Sequence, residues 1–65
     1  MNDDKKPFGE IVKEMKQWCI DNDEYAFSAL CRHARKNERE WFRVLMSNSG
    51  TKVMSQWCRV QHWHK

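Results

Sequence analysis

The sequence predicts an all-α fold, a small bundle of three to four short helices, on three observations. Apolar residues recur three and four positions apart along the chain, and no stretch alternates as a strand would. The pattern Met-x-Gln-Trp-Cys occurs twice, at residues 15–19 and 54–58, and each copy places Met, Trp and Cys on one helix face. A chain of 65 residues has room for one domain, residues 1–65. We therefore expect the two repeats to share one core, within one chain or between two copies.

The first helix is predicted to follow a disordered N-terminus, residues 1–6. Pro7 suits the first helical position, where its missing N–H has no partner to lose. The apolar stripe that follows consists of Phe8, Ile11, Val12, Met15, Trp18 and Cys19. The cluster Asp21-Asn22-Asp23 is expected to end this helix, and Asp21 or Asp23 is expected to cap the next one.

The second helix is predicted to bury Phe27, Leu30, Cys31 and Ala34. Its end decides between two architectures. Asn37 followed by Glu40 has the pattern of an N-cap with a carboxylate three residues later, which predicts a break at Lys36 to Asn37 and a new helix. The rival is one unbroken helix over residues 24–46, because neither Gly nor Pro occurs there. We favour the break.

The segment Ser47-Asn48-Ser49-Gly50 is predicted to be a turn before the last helix. Gly50 is expected to take a positive φ angle and Thr51 to cap the helix that follows. That helix presents the apolar residues Val53, Met54, Trp57, Cys58 and Val60. Residues 61–65 are expected to form a fraying tail.

Charge divides the chain into an acidic and a basic part. Residues 1–24 carry seven acids against four lysines, and residues 25–65 carry eight bases against two acids. Two interpretations stay open: an anion-binding half shielded by an acidic half, or two solvated helix faces of opposite sign. Four of the bases recur at helical spacing and are called the basic ridge here: Arg32, Lys36, Arg39 and Arg43.

Several classes of protein are excluded. No run of about 18 apolar residues is present and the first residues lack the order of a signal peptide, so we expect a cytoplasmic protein with no membrane span. Three cysteines in apolar stretches suit reduced thiols better than a disulfide framework. Cys58 with His62, and Cys31 with His33, could offer zinc ligands, but no C-x2-C pair occurs and no metal is expected. No activated nucleophile or phosphate-binding loop is recognisable, which predicts a protein that is not an enzyme and has no cofactor or small-molecule substrate.

Residues 30–45 resemble the helix-turn-helix family. The matching positions are the inward Leu30, Cys31 and Ala34 of a first helix, the cap Asn37, and the inward Trp41, Val44 and Leu45 of a second. Arg35 stands where the family commonly has Gly, and Lys36 where it has an apolar residue. The resemblance implies binding to duplex DNA, with Arg39 and Arg43 reaching bases or phosphates. The residues it places on the DNA backbone are Arg32, Arg35, Lys36 and Lys52.

In its length and in the segment CRHARKNEREWF, residues 31–42, the chain is similar to the short helical accessory proteins encoded in the early (exo-xis) region of lambdoid bacteriophages. What this resemblance implies is a phage-encoded, non-enzymatic regulator, made early in infection, that adjusts host physiology or the developmental decision of the phage.

The large apolar side chains exceed what so small a core can hide. Trp41 and Phe42 are adjacent and cannot both face one core from a helix, and Trp63 lies in the tail. An exposed aromatic beside Arg is typical of a protein interface. We therefore expect non-covalent binding to a host protein or self-association, with duplex DNA as the alternative partner. The expected contacts are Arg32, Lys36, Arg39, Phe42, Arg43 and Trp63.

Overall fold

The computed structural model describes residues 6–64, which form four helices. These are α1 (Phe8–Asn22), α2 (Phe27–Asn37), α3 (Arg39–Met46) and α4 (Asn48–Trp63). No strand occurs over residues 6–64, so the all-α prediction of three to four short helices is confirmed. The predicted disorder at the N-terminus falls outside the described residues, apart from Lys6, which lies before α1 and is not helical.

The core is built around both copies of the repeated pattern. Met15 and Cys19 of α1 are 0% exposed, and so is Met54 of α4, while Cys58 is 2% exposed. The other buried core residues are Ile11, Val12, Leu30, Ala34, Trp41 and Leu45. The two repeats therefore pack in one core within a single chain, and α2 and α3 are enclosed with them.

The apolar stripe of α4 is narrower than the sequence predicted. Its inner face is formed by Gly50, Met54 and Cys58, which recur every four residues. Val53 and Val60 lie beside this line and are 37% and 38% exposed, so the expectation that they belong to the stripe was wrong. The residues left outside the core give α4 a second, partly apolar face.

The acidic cluster ends α1, as predicted, but it does so through backbone hydrogen bonds and not by capping the next helix with a side chain. Asp23 takes a left-handed conformation with φ 52° and donates its N–H to the carbonyl of Ile20, 3.2 Å away. Glu24 donates to the carbonyl of Cys19 at 2.9 Å, which completes a Schellman-type ending. The expectation that Asp21 or Asp23 caps the next helix was wrong, because α2 begins after Ala26 and has no side-chain cap.

The break between α2 and α3 is confirmed, and it falls at Glu38. This residue has φ −136° and ψ 87°, outside the helical region, yet its N–H donates to Ala34 and its carbonyl accepts from Phe42. Asn37 was wrongly expected to cap the new helix. It is the last residue of α2, and its side-chain amide donates to the carbonyl of His33 at 3.4 Å. One residue is a shorter connection than the roughly three- to four-residue turn of a helix-turn-helix.

The turn predicted over residues 47–50 is reduced to Ser47, and α4 begins at the next residue. The hydroxyl of Ser47 accepts the N–H of Gly50 at 3.1 Å and donates to the carbonyl of Val44 at 2.6 Å. Gly50 lies inside α4 and does not take a positive φ angle, so Thr51 is not the cap. Glycine is needed because a Cβ at position 50 would lie 1.7 Å from the Val44 carbonyl oxygen.

The chain stays helical through most of the segment predicted to fray. Helix α4 runs to Trp63, and the N–H of His64 still donates to the carbonyl of Val60 at 3.1 Å. Residue 65 lies outside the described residues. Trp63 is therefore presented by a helix rather than by a loose tail.

Substituting Gly50 tests the close approach of α3 and α4. In an ordinary helix interior, Gly→Ala stabilises by about 0.5–1 kcal/mol. Gly50→Ala should instead lower the free energy of unfolding by at least about 2 kcal/mol, because its Cβ overlaps backbone that cannot rotate away. Urea unfolding followed by circular dichroism measures the change. The matched control is Gly9→Ala in α1, which meets no atom within 4 Å and should be neutral or stabilising. Equal effects at both positions would contradict this account.

Candidate functional site

The basic ridge lies on the outer surface of α2 and α3. Arg32 and Lys36 are exposed on α2, and Arg39 and Arg43 are exposed on α3. Each pair is four residues apart and so shares a helix face, but the break at Glu38 separates the two pairs. Within residues 6–64, the ion pair observed is between Lys6 and Glu14. None of the four ridge bases has a carboxylate partner among these residues. The ridge is therefore open to an external acidic group.

Helix α3 divides its residues sharply between two faces. Trp41 and Leu45 face the core and are 7% and 0% exposed. Arg39, Phe42, Arg43 and Met46 recur at i, i+3, i+4 and i+7, which places them on the opposite face. Met46 is 57% exposed, and sequence reasoning missed it as a contact. We call these four residues the outer face of α3.

Phe42 is less exposed than the sequence predicted. It is half-buried and packs against the core from the edge of the outer face of α3. Trp41 and Phe42 both touch the core, but only Trp41 is buried there. The expectation that these adjacent residues cannot both face one core is therefore only partly correct. Truncating Phe42 would thus disturb packing as well as the surface.

An open groove of ≈ 300 Å³ lies between the beginning of α1 and α3. Phe8 and Ile11 contribute its apolar side, and Glu40 and Arg43 contribute charges from α3. Phe8 was predicted to belong to the core stripe of α1 but is 42% exposed. Arg43 therefore borders apolar surface, which is the setting in which arginine contributes most to protein interfaces.

Trp63 is 82% exposed but lies apart from the basic ridge. The last turns of α4 border a second groove whose other side is formed by Tyr25 and Phe27, at the beginning of α2. Lys36 is near the other end of α2, about 14 Å away along the helix axis. The six contacts predicted from the sequence therefore fall on two surfaces, with Trp63 alone on the second.

An aromatic layer beneath the ridge holds α1, α2 and α3 together. The ring of His33 stacks on Trp18, with centroids 4.4 Å apart and planes 21° apart, and lies 5.5 Å from the ring of Trp41. His33 was considered above as a zinc ligand, but here it is packed between two indoles. Contacts between three helices leave no signal in sequence spacing, so this layer could not be predicted.

Trp41 is also fixed by a hydrogen bond from its indole Nε1 to Oε1 of Glu14, 3.2 Å away. Glu14 forms its ion pair with Lys6 through the other carboxylate oxygen. Hydrogen bonds from Lys6 and Trp41 lower the pKa of Glu14, and the same contact with Glu14 raises the pKa of Lys6. This chain of contacts ties the start of α1 to α3.

The three cysteines are free thiols, two of them deep in the core. The thiol of Cys19 hydrogen-bonds to Cys58, and this contact together with burial raises the pKa of Cys19. Burial raises the pKa of Cys31 as well. A raised pKa makes a thiol a poor nucleophile at neutral pH. Within the described residues, no three side chains of His, Cys, Asp or Glu converge as a metal site would require.

The fold and these surfaces define a small four-helix protein with an exposed basic ridge. No family model matches the chain, and no curated protein or solved structure is detectably similar to it. Over residues 6–64, none of the helices has the length and apolar character needed to cross a membrane.

The lowered pKa of Glu14 predicts a pH-dependent contribution to stability. The pKa of Glu14 is lower in the folded protein than in the unfolded chain. The contribution of Glu14 to stability is therefore complete above the unfolded pKa of about 4.3, and it is lost as the pH falls through the lower folded pKa. Wild-type protein should therefore be more stable than Glu14→Gln at pH 7, and this difference should be smaller at pH 3, which is below the unfolded pKa. Urea unfolding at both pH values measures it. A difference that is the same at both would contradict the assignment.

Proposed function

We propose that this protein is a small non-enzymatic regulator that acts by non-covalent binding to a host protein or by self-association. The observation that supports host-protein binding best is the outer face of α3, where two arginines alternate with an apolar pair, Phe42 and Met46. Arginine beside partly exposed apolar surface is the composition of interface centres, since the guanidinium forms hydrogen bonds while its stem and the apolar neighbours exclude water.

The expected partner surface is acidic with an apolar centre. The ridge bases have no carboxylate partner within residues 6–64, so a partner's carboxylates would not need to displace an existing pair. Such charges steer the encounter and set orientation, and apolar contacts with Met46 and Phe42 add affinity. The resemblance of residues 31–42 to the early-region phage proteins implies a regulator encoded by a phage, and this stays part of the proposal. Three free thiols fit a reducing cytoplasm.

Charge reversal on α3 tests this proposal. We expect Arg39→Glu with Arg43→Glu to reduce recovery of the partner from a bacterial lysate by at least about tenfold, because two attractive contacts become repulsive. The matched control is Lys13→Glu with Lys52→Glu, which changes the net charge equally at exposed positions elsewhere. Immobilised wild-type and control proteins should retain the same partner in stoichiometric amounts, and circular dichroism should show that all three are helical. If both double variants retain the same proteins as wild type, the outer face of α3 is not the binding surface.

Duplex DNA is the second candidate, because unpaired bases on a ridge suit phosphates as well as carboxylates. Against it stand the eight-residue length of α3 and the acids Glu38 and Glu40 at its start, which repel phosphate. The one-residue connection to α2 further reduces the likeness to a helix-turn-helix.

A mobility-shift titration with a mixed-sequence duplex distinguishes the two candidates. DNA binding must weaken steeply with added salt, since each phosphate contact releases counterions, and Arg43→Ala should reduce the salt slope by about one. A shift with this dependence would favour DNA over a protein partner. No shift at low salt ends the DNA alternative.

A further inference from the structure

A second surface, distinct from the basic ridge, surrounds the end of α4. It comprises residues 20–27, at the corner of α1 and α2, and residues 55–63 of α4, and we call it the C-terminal pole. Three apolar side chains are exposed here: Ile20 at 51%, Val60 at 38% and Trp63 at 82%. A tryptophan can bury about 150–250 Å² in a contact. Trp63 therefore offers this apolar area to a partner surface.

A groove of ≈ 370 Å³ opens on this pole between the α1–α2 corner and α4. Tyr25 and Phe27 form one side, Arg59 and His62 the other, and Cys58 lies at its base. A water molecule's share of liquid volume is about 30 Å³, so the groove has room for an aromatic side chain. Trp63 follows Arg59 by four residues and so lies one turn beyond it on the same side of α4. Its 82% exposure shows that it does not fill the groove of its own chain.

Charges on the C-terminal pole are complementary to one another. Asp21 and Glu24 lie on the side formed by the α1–α2 corner, and Arg59 lies on the side formed by α4, which contains no acid. Because both signs are at the same end of the molecule, a twofold axis through the pole would place the basic side of each copy against the acidic side of the other. A surface of this kind is self-complementary.

We propose that the C-terminal pole binds a second copy of this chain in a twofold-symmetric dimer. Trp63 of each copy enters the groove of the other, and Arg59 of each copy faces Asp21 of the other. A contact built on one tryptophan and one charge pair per copy gives a weak dimer, which forms at micromolar or higher concentration. This inference rests on the self-association named in the proposed function and assigns it to a surface other than the outer face of α3.

Truncating the tryptophan is the first test. Sedimentation equilibrium of the full chain, from about 10 µM to about 1 mM, should show a reversible monomer–dimer equilibrium, and Trp63→Ala should raise the dissociation constant at least about tenfold. The matched control is Val53→Ala, which removes an exposed apolar side chain from the first half of α4 and should leave the dimer intact. A monomer at all concentrations, or equal effects of the two substitutions, would overturn the proposal.

Charge exchange is the second test, and it does not depend on the tryptophan. Asp21→Arg and Arg59→Asp should each abolish dimerisation, because like charges then meet twice across the axis. An equimolar mixture of the two variants should restore a dimer with near wild-type affinity, since both contacts regain opposite charges. Failure of the mixture to dimerise would show that Asp21 and Arg59 do not meet. The Arg39→Glu, Arg43→Glu protein should dimerise normally, so loss of host binding and loss of the dimer are separable.

Discussion

The structure depends on one core that buries residues from opposite ends of the sequence, Met15 and Cys19 of α1 and Met54 and Cys58 of α4, with the two thiols in contact. A chain of 65 residues buries too little surface to tolerate a loose centre. Thioethers and thiols fill irregular space well, because Met adapts its shape and Cys is small. Helix α3 packs against α1, α2 and α4, and Leu30 of α2 and Leu45 of α3 are completely buried in the same core.

The aromatic layer outside that centre determines what the protein shows to solvent. Trp41 is held from three directions, by the ring of His33, by the carboxylate of Glu14 and by the core beneath it. Since α3 has little more than two turns, fixing one side chain fixes the rotation of the whole helix. Arg39 and Arg43 must then point outward. The surface proposed for binding is thus a direct consequence of how the opposite face of the same helix is anchored.

Helical periodicity was enough to predict the class of fold and the shared burial of the two repeats, because these depend on which residues lie on one helix face. The break between α2 and α3 was predicted instead from the capping pattern of Asn37 and Glu40, and it falls at Glu38. Positions near helix ends were harder. Glycine is typical of turns, but Gly50 is required by the close approach of the Val44 carbonyl in a neighbouring helix. Asparagine is typical of N-caps, but the side chain of Asn37 bonds back to the carbonyl of His33 in its own helix. The separation of Trp63 from the basic ridge could not be predicted either. It depends on the direction in which α4 returns past α2, which no local pattern records.

The connections between the last three helices have a consequence for how this sequence can change. Glu38 alone joins α2 to α3, and Ser47 alone joins α3 to α4. Adding or deleting one residue at either place would turn the following helix by about 100° and carry its buried residues out of the core. Within residues 6–64, length variation is therefore tolerable mainly at the α1–α2 corner, where residues 23–26 connect the helices. Homologues of this protein should differ there in loop length while keeping the spacing from α2 to α4 constant.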